Sequence, residues 1–172
     1  ASRYHNAESD EYSILAAKLI FEYLPKAYAN GLDLQSREKM SEASILAGLA
    51  VDISGTTVSH ACSYPLTYLY NMRHGEACAF TLDSFIRMNA ETEGVRLHSL
   101  AQQIGFKDAY DMADRVTQMK LQMEMKTTLD DVGIEISDID NLAILSMQPD
   151  MANSPSVLTI DKLIKMYHDL NK

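Results

Sequence analysis

Glycine is scarce in this chain: seven residues in 172, scattered, with no G-x-G-x-x-G or G-G-G-S run. A dinucleotide loop needs clustered glycines so that backbone amides can close on a pyrophosphate, and no such loop is encoded here. Cysteine is rarer still, with Cys62 and Cys78 alone. Two thiols are too few for a disulfide framework, so a reducing, cytoplasmic location is expected. Cations are short as well: 15 Lys and Arg face 24 Asp and Glu, a formal charge of −9. Binding a phosphate backbone needs clustered positive charge, so nucleic acid is not an expected partner. Charged residues interrupt every apolar run before the roughly 20 residues a membrane helix requires, and the N-terminus has no signal-peptide apolar core. No membrane partner is expected. Sustained period-two alternation with β-branched residues is also missing, which removes the usual signature of strands.

What is present is helical spacing. Ser9, followed by Asp10 and Glu11, is the expected cap of a first helix, because a hydroxyl satisfies free amides and acidic groups favour the positive helix end. Its apolar positions, including Ile14, Leu19, Phe21 and Leu24, run on to Asn30-Gly31, with Pro25 expected to bend it. A second helix is expected from Leu34 to Gly55. Within its run ASILAGLA, Gly48 costs about 1 kcal/mol relative to Ala, and close approach of another backbone is the expected compensation. Further helices are expected from Val95 to Ile104, Lys107 to Met125, over 127–134, from a Ser137 cap to Met147, and from Thr159 to Leu170. Segment 148–156, with Pro149 and Pro155, reads as an ordered loop. The methionines, ten in all, read as core filler. The fold class is therefore all-α, with roughly eight to ten helices, in one domain over residues 1–172. The chain opens on Ala1 rather than Met, as a processed chain or a piece of a longer one would.

The stretch from Gly55 to Asn89 holds the chemistry. His60 and Tyr64 are four apart, on one face of a helix that begins near Thr57. His74 follows His60 by 14 residues (74 − 60), past the turn Asn71-Met72-Arg73, and starts a new helix with Gly75. Two imidazoles from consecutive helices can converge on one ion. Imidazole suits Zn and Fe, and two histidines with a carboxylate and open positions form a usual catalytic arrangement. The same spacing also fits a hydrogen-bonded core histidine beside an exposed helix cap. Cys62 and Cys78 read as small buried fillers rather than ligands. His98 and His168 read as surface residues, and Asp52 as lying on the far side of its helix.

Taken together, ASILAGLA, then H-A-C-S-Y-P-L and then R-H-G-E-A-C-A resemble the C-terminal helical domain of the iron-containing (group III) alcohol dehydrogenases, whose fold is shared with dehydroquinate synthase. The segment N-A-E-S-D-E-Y resembles that domain's early helix, and the wording H-A-x-S-Y-P-L-T is similar to a phosphonoacetaldehyde reductase-like subgroup. The resemblance implies that His60 and His74 are metal ligands for Fe(II) or Zn(II). It implies that Tyr64 stands where many members carry a second histidine beside the nicotinamide and substrate, a catalytic, proton-relaying and cofactor-facing position. A phenol there is a poorer base than imidazole. Gly75 is implied to let the cofactor approach. The family's other two ligands, an aspartate and a histidine four residues on, would precede Ala1, and His5 is in register with neither. The family's N-terminal α/β domain, which carries NAD(H) or NADP(H), is absent from these residues. The implied activity of the intact enzyme is metal-assisted hydride transfer between a nicotinamide and a small alcohol or aldehyde, one example being a phosphonate aldehyde. This helical half alone is expected to be inactive, and an apolar face left open by the lost domain would favour a homo-oligomer. A glycerol dehydrogenase or dehydroquinate synthase relative, or a non-catalytic helical scaffold that keeps the fold for protein contacts, fits the same residues.

Overall fold

A computed structural model describes residues 2–92 and 94–171. The described residues form ten α-helices, two short 3-10 turns and no strand, as the missing period-two alternation requires. The helices are α1 (Ala7–Ala29), α2 (Leu34–Ser54), α3 (Val58–Tyr70), α4 (His74–Phe80), α5 (Leu82–Thr92), α6 (Gly94–Ile104), α7 (Ala109–Gln122), α8 (Leu129–Val132), α9 (Ile139–Ser146) and α10 (Ile160–Asp169). No single described helix is long and apolar enough to cross a membrane.

Local chemistry sets most of these boundaries. Asn6, not Ser9, caps α1: its side chain accepts from the Ser9 amide at 2.8 Å while Ser9 Oγ accepts from the Asn6 amide at 2.9 Å. Ser9 is thus the third member of a capping box rather than the cap. Asp108, Thr128 and Thr159 cap α7, α8 and α10 through their side-chain oxygens. Ser137 does not cap α9. It lies inside a 3-10 turn, Ile136–Asp138, that leads into that helix, and Asp138 makes no side-chain cap either.

Two apolar clusters hold the helices together. The larger joins α3, α4, α5, α8, α9 and α10 through residues such as Leu66, Phe80, Leu142, Leu163 and Tyr167, all fully buried. The smaller joins Ala90, Leu97, Ala101, Ala109 and Met112, with Phe21 and Phe106 packed against it edge to face at 4.7 Å. Met72, Met112, Met119, Met151 and Met166 are buried, so the filler reading holds for half of the methionines. A polar lock ties α7 to α5. Lys120, only 3% exposed, donates to Asp83 Oδ1 at 2.6 Å and to the Phe80 carbonyl at 3.0 Å. Thr117 donates to the other Asp83 oxygen. With both charges paired and hydrogen-bonded, the desolvation cost of the pair is offset.

Gly48 departs from expectation. It is exposed, and a Cβ built on it meets nothing within 4 Å, so no backbone packs there. The neighbouring Ile45 and Leu49 are also turned to solvent, at 66% and 44% exposure. The helix carries the cost of glycine without compensation from the described residues. Gly48→Ala should therefore raise stability by about 1 kcal/mol in chemical denaturation; a lower stability would show that something does occupy that face.

Candidate metal centre

The site starts at a corner. Gly55 ends α2 with φ +67°, in the left-handed region, and α2 and α3 meet at a bend of 109°. A Cβ on Gly55 would lie 3.1 Å from Asn153 Nδ2, so the corner requires glycine on both counts. The same Nδ2 donates to the Ser54 carbonyl at 2.7 Å and the Thr56 carbonyl at 2.8 Å. Asn153 Oδ1 accepts from Ser2 Oγ at 2.7 Å and the Arg3 amide at 3.1 Å. One buried amide thus binds the N-terminal segment, the end of α2 and the approach to α3. Asn153 belongs to a 3-10 turn, Pro149–Asn153, inside the segment expected as an ordered loop.

Between α3 and α4 the chain reverses at Asn71, which adopts φ 52°, ψ 28° and whose amide, like that of Met72, returns to the Leu66 carbonyl. Asparagine tolerates this left-handed cap better than most side chains. Ala61, Cys62 and Leu66 on α3 and Ala77 and Phe80 on α4 are fully buried, which turns the other faces of both helices toward one point. His60 and His74 meet there, with ring centroids 4.8 Å apart and planes at 87°. The structure thus brings together the two histidines that were singled out as metal ligands. Ser63, one turn along α3, donates to the His60 carbonyl at 2.6 Å and lies 3.4 Å from His74 Nδ1.

A third group joins them. Cys78 Sγ is 3.6 Å from His60 Nδ1 and 3.7 Å from His74 Nε2, and ligand atoms of the three residues all lie within 4.8 Å of one another. The expectation of a buried filler fails for Cys78, which is half-buried, and holds for Cys62, which is fully buried. Burial pushes the Cys62 thiol up to about 11, so it stays protonated and inert. The spacing of Cys78 from His74, four residues along one helix, was the available signal.

Tyr64 stands beside this centre. Its ring lies 5.2 Å from His60, edge to face, and 6.5 Å from His74, stacked. Its hydroxyl donates to Asp150 Oδ2 at 3.3 Å, and Thr56 donates to the same oxygen at 2.6 Å. Tyr64 is 41% exposed; partial desolvation first, and the Asp150 charge second, move the phenol upward from its ordinary range, so at neutral pH it keeps its proton as any phenol does. Asp150 and Asn153 approach from 86 and 99 residues away, and no local pattern marks them. Gly75 borders both neighbouring clefts. One, of about 450 Å³, runs from His60 and Cys78 to Asp10 and Arg96; the other, about 690 Å³, is lined mainly by apolar residues of α1, α6 and α7. Nothing lies within 4 Å of a Cβ on Gly75, so close approach is possible there but no described atom requires it. The remaining histidines stay away from the centre. His5 pairs with Asp10 at 3.1 Å, and Asp10 in turn with Arg96 at 2.6 Å. His168 is exposed, whereas His98 is half-buried and accepts from the Ala109 amide at 3.0 Å, an inter-helix tie rather than a surface residue. Asp52 is exposed and outside the cluster.

Residues 2–170 match the model of the Fe-containing alcohol dehydrogenase family, C-terminal. The chain belongs to the iron-containing alcohol dehydrogenase family. It superposes on sulfoacetaldehyde reductase from Bifidobacterium kashiwanohense, solved in complex with NAD+, with TM-score 0.94 and 43% identity over 98% of this chain and 45% of that one. An alcohol dehydrogenase from Oenococcus oeni gives TM-score 0.90 at 28% identity, again over 98% of this chain and 46% of the other. The 1,3-propanediol dehydrogenase of Klebsiella pneumoniae is 29% identical over 83% of this chain and 39% of its own length. The chain thus spans less than half the length of these relatives and corresponds to the C-terminal helical domain of the iron-containing alcohol dehydrogenase fold.

The corner that positions α3 yields a direct check. Asn153→Ala leaves the carbonyls of Ser54 and Thr56 and the Ser2 hydroxyl without this partner in a largely buried place. The variant should lose about 2–4 kcal/mol in chemical denaturation. A loss below about 0.5 kcal/mol, the size of an ordinary surface change, would show that the amide does not hold the corner.

Proposed function

We propose that this chain is the metal-holding half of a nicotinamide-dependent alcohol dehydrogenase or aldehyde reductase, with His60 and His74 as two of the ligands to a divalent Fe or Zn ion. The observation that carries the reading is the convergence of two imidazoles from consecutive helices in a chain of this family. The donor set fits such an ion: neither ring has a carboxylate partner or a short hydrogen bond among the described contacts, the nearest being the 3.4 Å approach of Ser63 to His74 and the thiol of Cys78. When bound, a divalent ion there acts as a Lewis acid on the oxygen of an alcohol or aldehyde, and the hydride is exchanged with a nicotinamide carried by residues outside this chain.

The chain's own groups set the geometry. α3 and α4 fix the two imidazoles through the buried packing behind them, so little reorganisation is needed on binding. Tyr64 takes the place of the relaying histidine as a neutral hydrogen-bond donor rather than a base, because a phenol keeps its proton at neutral pH and this one already donates to Asp150. Gly75, with open space where a side chain would stand, leaves a path along the start of α4. The substrate class that best accords with the comparisons is a small aldehyde with an anionic head, a sulfonate or the chemically similar phosphonate, since the solved relative at 43% identity is named a sulfoacetaldehyde reductase.

The test is activity of this chain joined to its upstream coding sequence, with sulfoacetaldehyde, phosphonoacetaldehyde and propanal each offered with NADH and NADPH. His60→Ala and His74→Ala should each lower kcat/KM more than about 100-fold and lower bound metal, since even supporting groups around a metal ligand are worth 10- to 100-fold. Full activity in either variant would refute the ligand assignment. The absence of any hydride transfer by the joined protein would favour a helical scaffold that has kept the fold.

A further inference from the structure

Cys78 has the position of a ligand and no other assigned role. His74 and Cys78 occupy i and i+4 on α4, so both side chains leave one face of the helix, and His60 comes from α3 opposite. In a tetrahedral site with metal–nitrogen bonds of about 2.0–2.1 Å and a metal–sulfur bond of about 2.3 Å, the nitrogen-to-sulfur edge is about 3.6 Å. The two edges measured from Cys78 Sγ are 3.6 and 3.7 Å. The remaining nitrogen-to-nitrogen edge lies within 4.8 Å, against about 3.3 Å in such a tetrahedron, so the two rings would draw together on binding. What sets this sulfur apart from a space-filling one is that it contacts both imidazoles at once, one from each helix.

We propose that Cys78 Sγ is a third metal ligand, so that this chain presents a two-histidine, one-thiolate half-site for a thiophilic divalent ion such as Zn(II), the thiolate standing in place of one of the two ligands that the family resemblance puts before Ala1. The inference rests on the metal-centre reading above and deepens it. On binding, the thiol proton passes to solvent and the sulfur lone pair goes to the ion. A thiolate ligand moves preference from harder, oxygen-liking ions toward zinc. The same contacts are also those of a weak S–H hydrogen-bond donor shared between two imidazoles, and the two roles differ in what a metal probe sees.

Cobalt(II) substitutes for zinc and reports its ligands by absorption, so the experiment is an anaerobic Co(II) titration of this chain beside Cys78→Ser, His60→Ala and His74→Ala. The expected result is visible ligand-field bands with a near-ultraviolet thiolate-to-cobalt charge-transfer band. Cys78→Ser, nearly isosteric at a half-buried place, should keep native circular dichroism, lose the charge-transfer band and bind at least about 10-fold more weakly. Both histidine variants should lose the ligand-field bands. Cobalt bound through the histidines without the charge-transfer band overturns the role of Cys78 and leaves the two-histidine reading standing. Binding indifferent to His60 and His74 overturns both. No binding at millimolar Co(II) to a chain with native circular dichroism overturns the three-ligand half-site.

Discussion

Everything at the candidate centre depends on how α3 and α4 bury their small faces against the core while the chain reverses between them in the three residues Asn71 to Arg73. Ala61 and Ala77 are fully buried, and small side chains there let the helices lie close enough for rings on their other faces to touch. Asn71 makes the short reversal affordable, because its left-handed conformation lets two consecutive amides return to the Leu66 carbonyl. The site is therefore a property of one helical hairpin, and the core behind it supplies the rigidity.

The rest of the fold keeps that hairpin in place by polar means as well as apolar ones. Gly55 sharpens the corner before α3, and Asn153 fills it with four hydrogen bonds. Asp150, from the same short turn, holds both Thr56 and Tyr64. Below α4, the buried Lys120 reaches the Phe80 carbonyl at the helix end and Asp83 just beyond it. These contacts are costly to leave half-made in a buried setting, and so they specify the arrangement more sharply than apolar packing alone.

The sequence carried the helical class, most helix limits and the two histidines, because each of those depends on spacing within a few turns of chain. Gly55, Thr159 and the Asn30-Gly31 stop are local signals of that kind. The cap of α1 was misplaced by three residues because Asn6 and Ser9 are both good caps and only their reciprocal bonding decides between them. The small residues around Gly48 suggest close packing, yet exposure depends on what lies opposite, which is not local. Asp150 and Asn153 were invisible for the same reason: their partners lie roughly ninety or more residues away. Cys78 is a different case. Its four-residue spacing from His74 is a local signal, but lone cysteines are so often buried that the spacing alone does not mark a ligand.

The most direct measurement of the central claim is a long-range proton–nitrogen NMR spectrum of the histidine rings during Zn(II) titration, because this chain has only five histidines and each can be assigned by substitution. Convergence of α3 and α4 on one ion predicts that the ring nitrogens of His60 and His74 shift together, saturating at the same zinc concentration, while those of His5, His98 and His168 stay in place. Independent shifts of His60 and His74, or a response led by the exposed His168, would contradict it.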